Sequence, residues 1–303
     1  MGSLETEPVS LSLKRPFRIS GREVRRVRGY WCTCVIEGDT GRGFGLCRGI
    51  AEEMAILDAA ARRYDEPLCT VLGGEPTSIE SFATVDLVGA ERAEKLARRY
   101  YLRGYRRLKV KVGGDLKRDL ERLEACVESA EFDALILDGN EGLTVEGVFR
   151  LLDLLDFDGD VYLEHPTPPD SLKEVCESCE VPVIVDVMDL GARSIDDVLD
   201  VAEPCDIVNI KAQEVGFVGG LRLARDAQEE GFRVMIGCAV ESFSSVSAAA
   251  HLAAAVEADL CDLDGHLFLN EDVVSNPRYA PVMVTEGPGW EVRVERSKPR
   301  RSM

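Results

Sequence analysis

Two lysines two residues apart, Lys109 and Lys111, lie in the short strand-like run GYRRLKVKVGG at 104–114. In a strand, side chains at i and i+2 share a face, so both amines project away from the Val110 side. Each ammonium disfavours ionisation of the other. That repulsion lowers a lysine pKa and prepares one amine to accept a proton. An isolated Lys-x-Lys also fits an edge strand with both amines in water, so the downstream residues decide between the two. Carboxylates recur at the ends of later strand-like runs: Asp138 in ALILDGN, Glu164 in VYLEHP, Asp186 in VPVIVDV, and Asp262 and Asp264 in DLCDLDG. A further lysine, Lys211, ends IVNIKA. One aspartate after a strand is often a turn or cap residue; three carboxylates on adjacent strands are much harder to dismiss. Neighbouring strands lie about 4.8 Å apart, so the three would converge and repel. A hard divalent cation resolves that repulsion, and oxygen-only ligands favour magnesium over zinc.

The elements that position these residues repeat. From about residue 80 the chain alternates a strand, a polar or glycine-containing loop and an amphipathic helix. Reference residues near the strand ends are Thr84, Lys109, Asp138, Glu164, Asp186, Lys211, Gly237 and Asp262, spaced 22–29 residues apart. Eight such units predict an α/β fold of the closed (β/α)₈ TIM-barrel type, in preference to an open doubly wound sheet. No GxGxxG or P-loop follows the first strand, so nucleotide binding has no support. Chemistry in such barrels sits at the C-terminal ends of the strands. Strands 2 and 6 face each other across a ring of eight. A carboxylate substrate between them would offer opposite faces to Lys111 and Lys211. One amine can remove the proton α to the carboxylate and the other return one from the far side. The metal would hold the resulting enediolate. This is racemisation or epimerisation chemistry.

Composition narrows the partners. The 303 residues are 45% hydrophobic, enough for a large core, and carry a formal charge of −19. That charge argues against nucleic acid and against an anionic membrane surface, and leaves a small-molecule substrate. No apolar run reaches about 18 residues and the N-terminus has no signal-peptide core. Ten cysteines scattered singly through apolar segments fit reduced, buried thiols and a cytoplasmic location. Cys176-x-x-Cys179 and Cys32-x-Cys34 lack the further ligands that zinc needs.

Three regions are expected: a small α+β capping segment at 1–78, the barrel at 79–269, and a tail at 270–303 that returns to the cap. In the first, GDTGRG has the glycine spacing of a hairpin turn and IAEEMAILDAAARRY the composition of a helix. The tail run APVMVTEGPGWEVRVE is expected to pair with the N-terminal strands, and SKPRRSM to form a charged end.

Taken together, KVKVGG, LILDGN, YLEHP, VIVD, NIKA with Gly219–Gly220, and CDLDG resemble the enolase superfamily. They are most similar to its muconate-lactonising branch and the dipeptide epimerases within it. The resemblance covers about 80–270, and more weakly PFRIS, GRGFG and GPGWEV. It implies metal ligands at Asp138, Glu164 and Asp186, binding Mg²⁺. It implies paired bases at Lys111 and Lys211, with Lys109 beside the substrate carboxylate. It also implies that Asp262 and Asp264 bind the ammonium group of a dipeptide. Cycloisomerase, N-acylamino acid racemase and o-succinylbenzoate synthase chemistry would share the lysines and metal, and a barrel retained without catalysis is a further alternative. Several positions depart from the family pattern. Val187 stands where a glutamate usually follows the aspartate, Glu164–His165–Pro166 replaces Glu-Gln-Pro, and Gly43–Phe44–Gly45–Leu46 replaces Gly-x-Gly-Glu. Only about 30 residues separate Leu46 from the first barrel strand, so the cap is reduced; completion by a neighbouring subunit would make the protein a homo-oligomer. Arg22, Arg25, Arg26 and Arg28 in the early loop fit either an acidic substrate side chain or solvent.

Overall fold

Eight short parallel strands lie side by side in chain order. They are Ala83–Val85, Arg107–Lys111, Ala134–Asp138, Asp160–Glu164, Val183–Asp186, Ile207–Lys211, Arg233–Gly237 and Leu260–Asp262, here barrel strands 1 to 8. The computed structural model describes residues 2–275 and 277–295. Strands 8 and 1 meet through Phe82 N–H donating to the Cys261 carbonyl at 2.9 Å and Leu263 N–H to Ser81 Oγ at 2.7 Å. The (β/α)₈ barrel expected from the repeat is therefore present and nearly closed. Its strands are short runs of β-branched and aliphatic residues buried on both faces, as parallel strands between helices must be. Local signals delimit the helices outside it. Ala90–Arg103 ends at Gly104, whose φ of 102° closes the last turn, and a capping box of Ser194 and Asp197 starts Ile195–Ala202.

Inside the barrel the lower part is apolar, filled by Phe82, Ile136, Ile184, Ile207, Met235 and Leu260. The layer above comes from the even strands and is polar: Lys109, Glu164, Asn209 and Asp262, all buried. Alternate strands supplying one layer is the usual packing of such a barrel. Gly237 makes room for it, since a Cβ there would lie 2.5 Å from Asn209 Oδ1.

The cap is an antiparallel sheet of Ser3–Ile19, Arg22–Ile36 and Asp39–Gly45, covered by the helix Arg48–Arg63. The hairpin turn expected at GDTGRG falls at the leading edge of that stretch, Glu37–Gly38, with φ of 50° and 103°. The alternating glycines instead let the helix approach the third strand. A Cβ on Gly41 would sit 2.2 Å from the Ala55 carbonyl, and one on Gly43 2.4 Å from that of Ala51. The early arginines lie in the second cap strand rather than a loop. After Leu46 only Arg48–Arg63 and the four-residue Leu68–Val71 are helical before the barrel begins. Several links dock the cap; among them Leu46 N–H donates to Gln213 Oε1 at 2.7 Å, and the Glu53 carboxylate accepts the N–H groups of Phe217 and Val218 at 2.9 and 3.0 Å.

The tail does not join the N-terminal hairpin. Val282–Val284 pairs with Ser78–Glu80 and Arg293–Glu295 in a separate three-stranded sheet. It still touches the cap, because Trp290 donates from its backbone to Asp58 and from its indole to the Arg42 carbonyl. SKPRRSM lies outside the described residues. The ten cysteines are free thiols: seven are buried, Cys179 and Cys238 are half-buried, and Cys47 is exposed. No helix among the described residues is long and apolar enough to cross a membrane.

His251 ties the barrel to the tail. Its Nδ1 accepts from Cys69 N–H at 3.2 Å and its Nε2 donates to the Glu291 carbonyl at 3.0 Å, which requires the neutral ring. Burial pushes its pKa down to about 4, whereas an unfolded histidine titrates near about 6.5. Between those values the unfolded chain holds a proton that the folded chain refuses. The stabilisation is complete above the unfolded value and is lost as pH falls through the window, by about 3 kcal/mol. Denaturant unfolding from pH 7.5 to 4 should therefore show a steeper acid loss for the native protein than for His251→Gln; equal slopes would contradict this.

Candidate active site

The C-terminal ends of the barrel strands open into a cavity of about 380 Å³ beneath the cap. Lys109, Lys111, Lys211, Asp262 and Asp264 line it, and Arg22, Arg26 and Arg28 face it from the second cap strand. Asp138, Glu164 and Asp186 lie below the amines and are 0, 1 and 0% exposed.

Lys109 is the hub. Its Nζ is 2.8 Å from Asp138, 2.8 Å from Glu164 and 2.9 Å from Asp262. Lys111 donates to Asp138 and, at 2.8 Å, to Asn140 Oδ1. Lys211 pairs with Asp186. The expectation that two neighbouring lysines depress each other's pKa is overturned at Lys109. Burial does oppose its charge, but Asp138, Asp262 and Glu164 outweigh burial and hold the amine well above its ordinary value. Lys211 is likewise raised against the effect of burial, by Asp186 and then Glu214. Asp138 is held below the usual carboxylate range because Lys109 and Lys111 overcome its burial. Glu164 shares a single lysine, and burial, reinforced by Asp138, pushes it up to about 7.

The carboxylates do not converge as strand adjacency alone predicts. Asp138 and Glu164 are register partners, but Glu164 is opposite Ile184, which sets Asp186 two residues further along its strand. Among the described residues no three Asp, Glu, His or Cys side chains surround a common point; each acid is turned to a lysine that neutralises it. The donor set nevertheless suits a hard cation: it is oxygen throughout, and Glu164 Oε2 is buried with no hydrogen bond despite lying 2.8 Å from Lys109 Nζ.

Asp262 and Asp264 stand together on one wall, held by Thr84. The Thr84 hydroxyl donates to them at 3.3 and 3.2 Å, and its N–H to Asp264 at 2.5 Å. Burial, then Asp262, pushes Asp264 up to about 8. His165, at a φ of 37°, accepts the Asp186 N–H on Nδ1 at 3.3 Å, so its contact is with the backbone of an acid and not with the cavity. The carboxylate lost at Val187 has a substitute near Lys211: Glu214 lines the cavity and is pushed up to about 8 by burial.

Four contributors escaped the sequence reading. Asn209, which donates to Glu164 Oε1 at 3.0 Å, was legible: Asn209–Lys211 repeats the i, i+2 spacing of Lys109–Lys111. Thr84, Asn140 and Glu214 carry no such pattern.

With this geometry in place, comparison with known proteins is informative. The sequence pattern of the enolase C-terminal domain-like family matches residues 91–298, more than half the chain. The protein belongs to that family. An L-Ala-D/L-amino acid epimerase of Populus trichocarpa is 36% identical over 232 residues, which are 73% of this chain and 55% of that one. The chain thus spans about half the length of that relative. An L-Ala-D/L-Glu epimerase of Thermotoga maritima is 31% identical over 252 residues, 80% of this chain and 70% of the other. Among solved structures of the same fold, a dipeptide epimerase from Enterococcus faecalis V583, crystallised with Mg and L-Leu-L-Tyr, superposes with a TM-score of 0.84 at 21% identity, covering 95% of this chain and 98% of that one.

Removing the hub should expose the charge problem that it solves in this enolase-family site. Lys109→Met leaves three buried carboxylates without their shared cation, a loss of about 3–5 kcal/mol. Thermal unfolding in chelator should show a marked fall in Tm at pH 8 and a smaller one at pH 5, where protonation relieves the acids. An unchanged Tm at both would show that the lysine carries no such burden.

Proposed function

We propose that the protein is a magnesium-dependent dipeptide epimerase that moves a proton between Lys111 and Lys211. The observation that carries this reading is the strand order. Lys111 ends barrel strand 2 and Lys211 ends strand 6, four apart in the observed sequence of eight, and both line one cavity. A substrate α-carbon between them has one amine on each face. One lysine, unprotonated, takes the α-proton; the other, as ammonium, returns a proton from the opposite side. The two then hold exchanged protonation states, and the reverse reaction restores them. On this reading Lys109, beside Lys111 on the same face, binds the substrate carboxylate once Asp138 and Glu164 turn from it to a metal. Asp262, with Asp264 beside it as a further acceptor, offers negative charge to the dipeptide ammonium, and Thr84 fixes the orientation of both. A magnesium ion on Asp138, Glu164 and Asp186 would supply the charge that stabilises electron density on the substrate carboxylate, and would take over those acids from the lysines.

The named epimerase relatives support the substrate class, and the Asp262–Asp264 wall supports an amine-bearing substrate over N-acyl or lactone substrates. General acid–base groups contribute about 10²–10⁴-fold to rate. Lys111→Met and Lys211→Met should each lower epimerisation by at least about 10²-fold, while each retains exchange of the α-proton for deuterium in one epimer only, and in opposite epimers. Mass spectrometry of dipeptides incubated in deuterated water with magnesium reads this. Exchange confined to N-acylamino acids would replace the dipeptide reading; no exchange with any substrate, together with no magnesium binding, would mark a barrel without catalysis.

A further inference from the structure

On the other side of the Thr84 wall lies a second cavity, of about 170 Å³. It is bounded by the first cap strand, by the helix Ala90–Arg103, and by Leu267–Phe268. Three arginines of that helix face it, Arg92, Arg99 and Arg103. Their spacing of seven and four places them on one helix face. Lys14 faces them from the cap strand, and no Asp or Glu lines the cavity. We propose that this cavity is a binding site for a small multivalent phosphate anion, held by Lys14, Arg92, Arg99 and Arg103.

The chain carries a net charge of −19, and many of its basic side chains are paired with acids, Arg15, Arg62 and Arg122 among them. Yet none of these four has a carboxylate partner among the described residues. Arg15, at the cavity edge, shows the contrast: it is committed to Asp86 through contacts at 2.6 and 2.5 Å. Lys14 donates to the Leu267 carbonyl at 2.9 Å, which leaves two of its three protons. Lys14 and Arg103 both lie over the Tyr279 ring, 5.1 and 5.4 Å from its centre. That stacking orients the cations but does not neutralise them. The Lys14 pKa is lowered by burial and then by Arg103 and Arg99, the signature of a cluster without a counter-charge. Arginines on one helix face and a lysine on the strand opposite, all lining one cavity, suit an anion with several oxygens and more than one charge. The cavity shares walls with the active site. Phe268 faces both cavities, and the Tyr100 hydroxyl donates to the Thr84 carbonyl at 3.2 Å. A ligand here therefore bears on the residue that orients Asp262 and Asp264.

Isothermal titration with inorganic pyrophosphate and with ADP, at ionic strength matched with sodium chloride, tests the site. Saturable one-to-one binding is expected. Arg99→Gln combined with Arg103→Gln should weaken it by at least about tenfold, with the thermal melt unchanged. Arg99→Lys, which keeps the charge, should lose less. Binding of pyrophosphate alone identifies a free inorganic anion; ADP binding as tightly or tighter identifies the diphosphate of a nucleotide. Absence of saturable binding by either probe, or equal binding by the double variant, overturns the proposal. So does loss of binding only where the variant's melt has also collapsed, if Arg99→Lys then binds no better than the double variant.

Discussion

The mouth of this barrel rests on one buried ammonium. Lys109 lies among Asp138, Glu164 and Asp262 with every contact between 2.8 and 2.9 Å. Burying a single carboxylate costs several kcal/mol, and an ion pair recovers that only with good geometry and further hydrogen bonds. Lys109 supplies that to three acids at once, and Asn209 and Thr84 supply the remaining donors. The arrangement keeps a dense set of acids ionisable in a low-dielectric site.

The barrel makes the arrangement possible through its alternation. Side chains two apart on one strand face the cavity together, and even and odd strands contribute at different heights. Lys109, Glu164, Asn209 and Asp262 form the lower polar layer over an apolar plug. Lys111 and Lys211 lie at the ends of strands 2 and 6, and both line the cavity. The cap then closes the cavity with its second strand, which brings Arg22, Arg26 and Arg28 to its roof.

Much of this was written in the sequence. The barrel showed in eight evenly spaced strand ends, and Lys109, Lys111 and Lys211 with the five acids showed because strand periodicity fixes their facing. What the sequence left hidden depends on contacts between distant segments. The stagger that separates Asp186 from Glu164 is a register property, invisible in either strand alone. The raised pKa of Lys109 follows from acids contributed by three other strands, so the reading from the lysine pair alone had the wrong sign at Lys109. Gly41 and Gly43 looked like turn residues because the helix packed against them begins only afterwards. The basic cavity draws Lys14 and the arginines of Ala90–Arg103 from separate regions, and no local motif announces it.

The account centres on two amines on opposite faces of one carbon. A crystal structure of the protein with magnesium and a bound dipeptide tests it most directly. The account predicts Lys111 Nζ and Lys211 Nζ on opposite faces of the substrate α-carbon, with Asp138, Glu164 and Asp186 turned from the lysines to the metal. Both amines on one face, or a dipeptide bound with its α-carbon away from them, would contradict it.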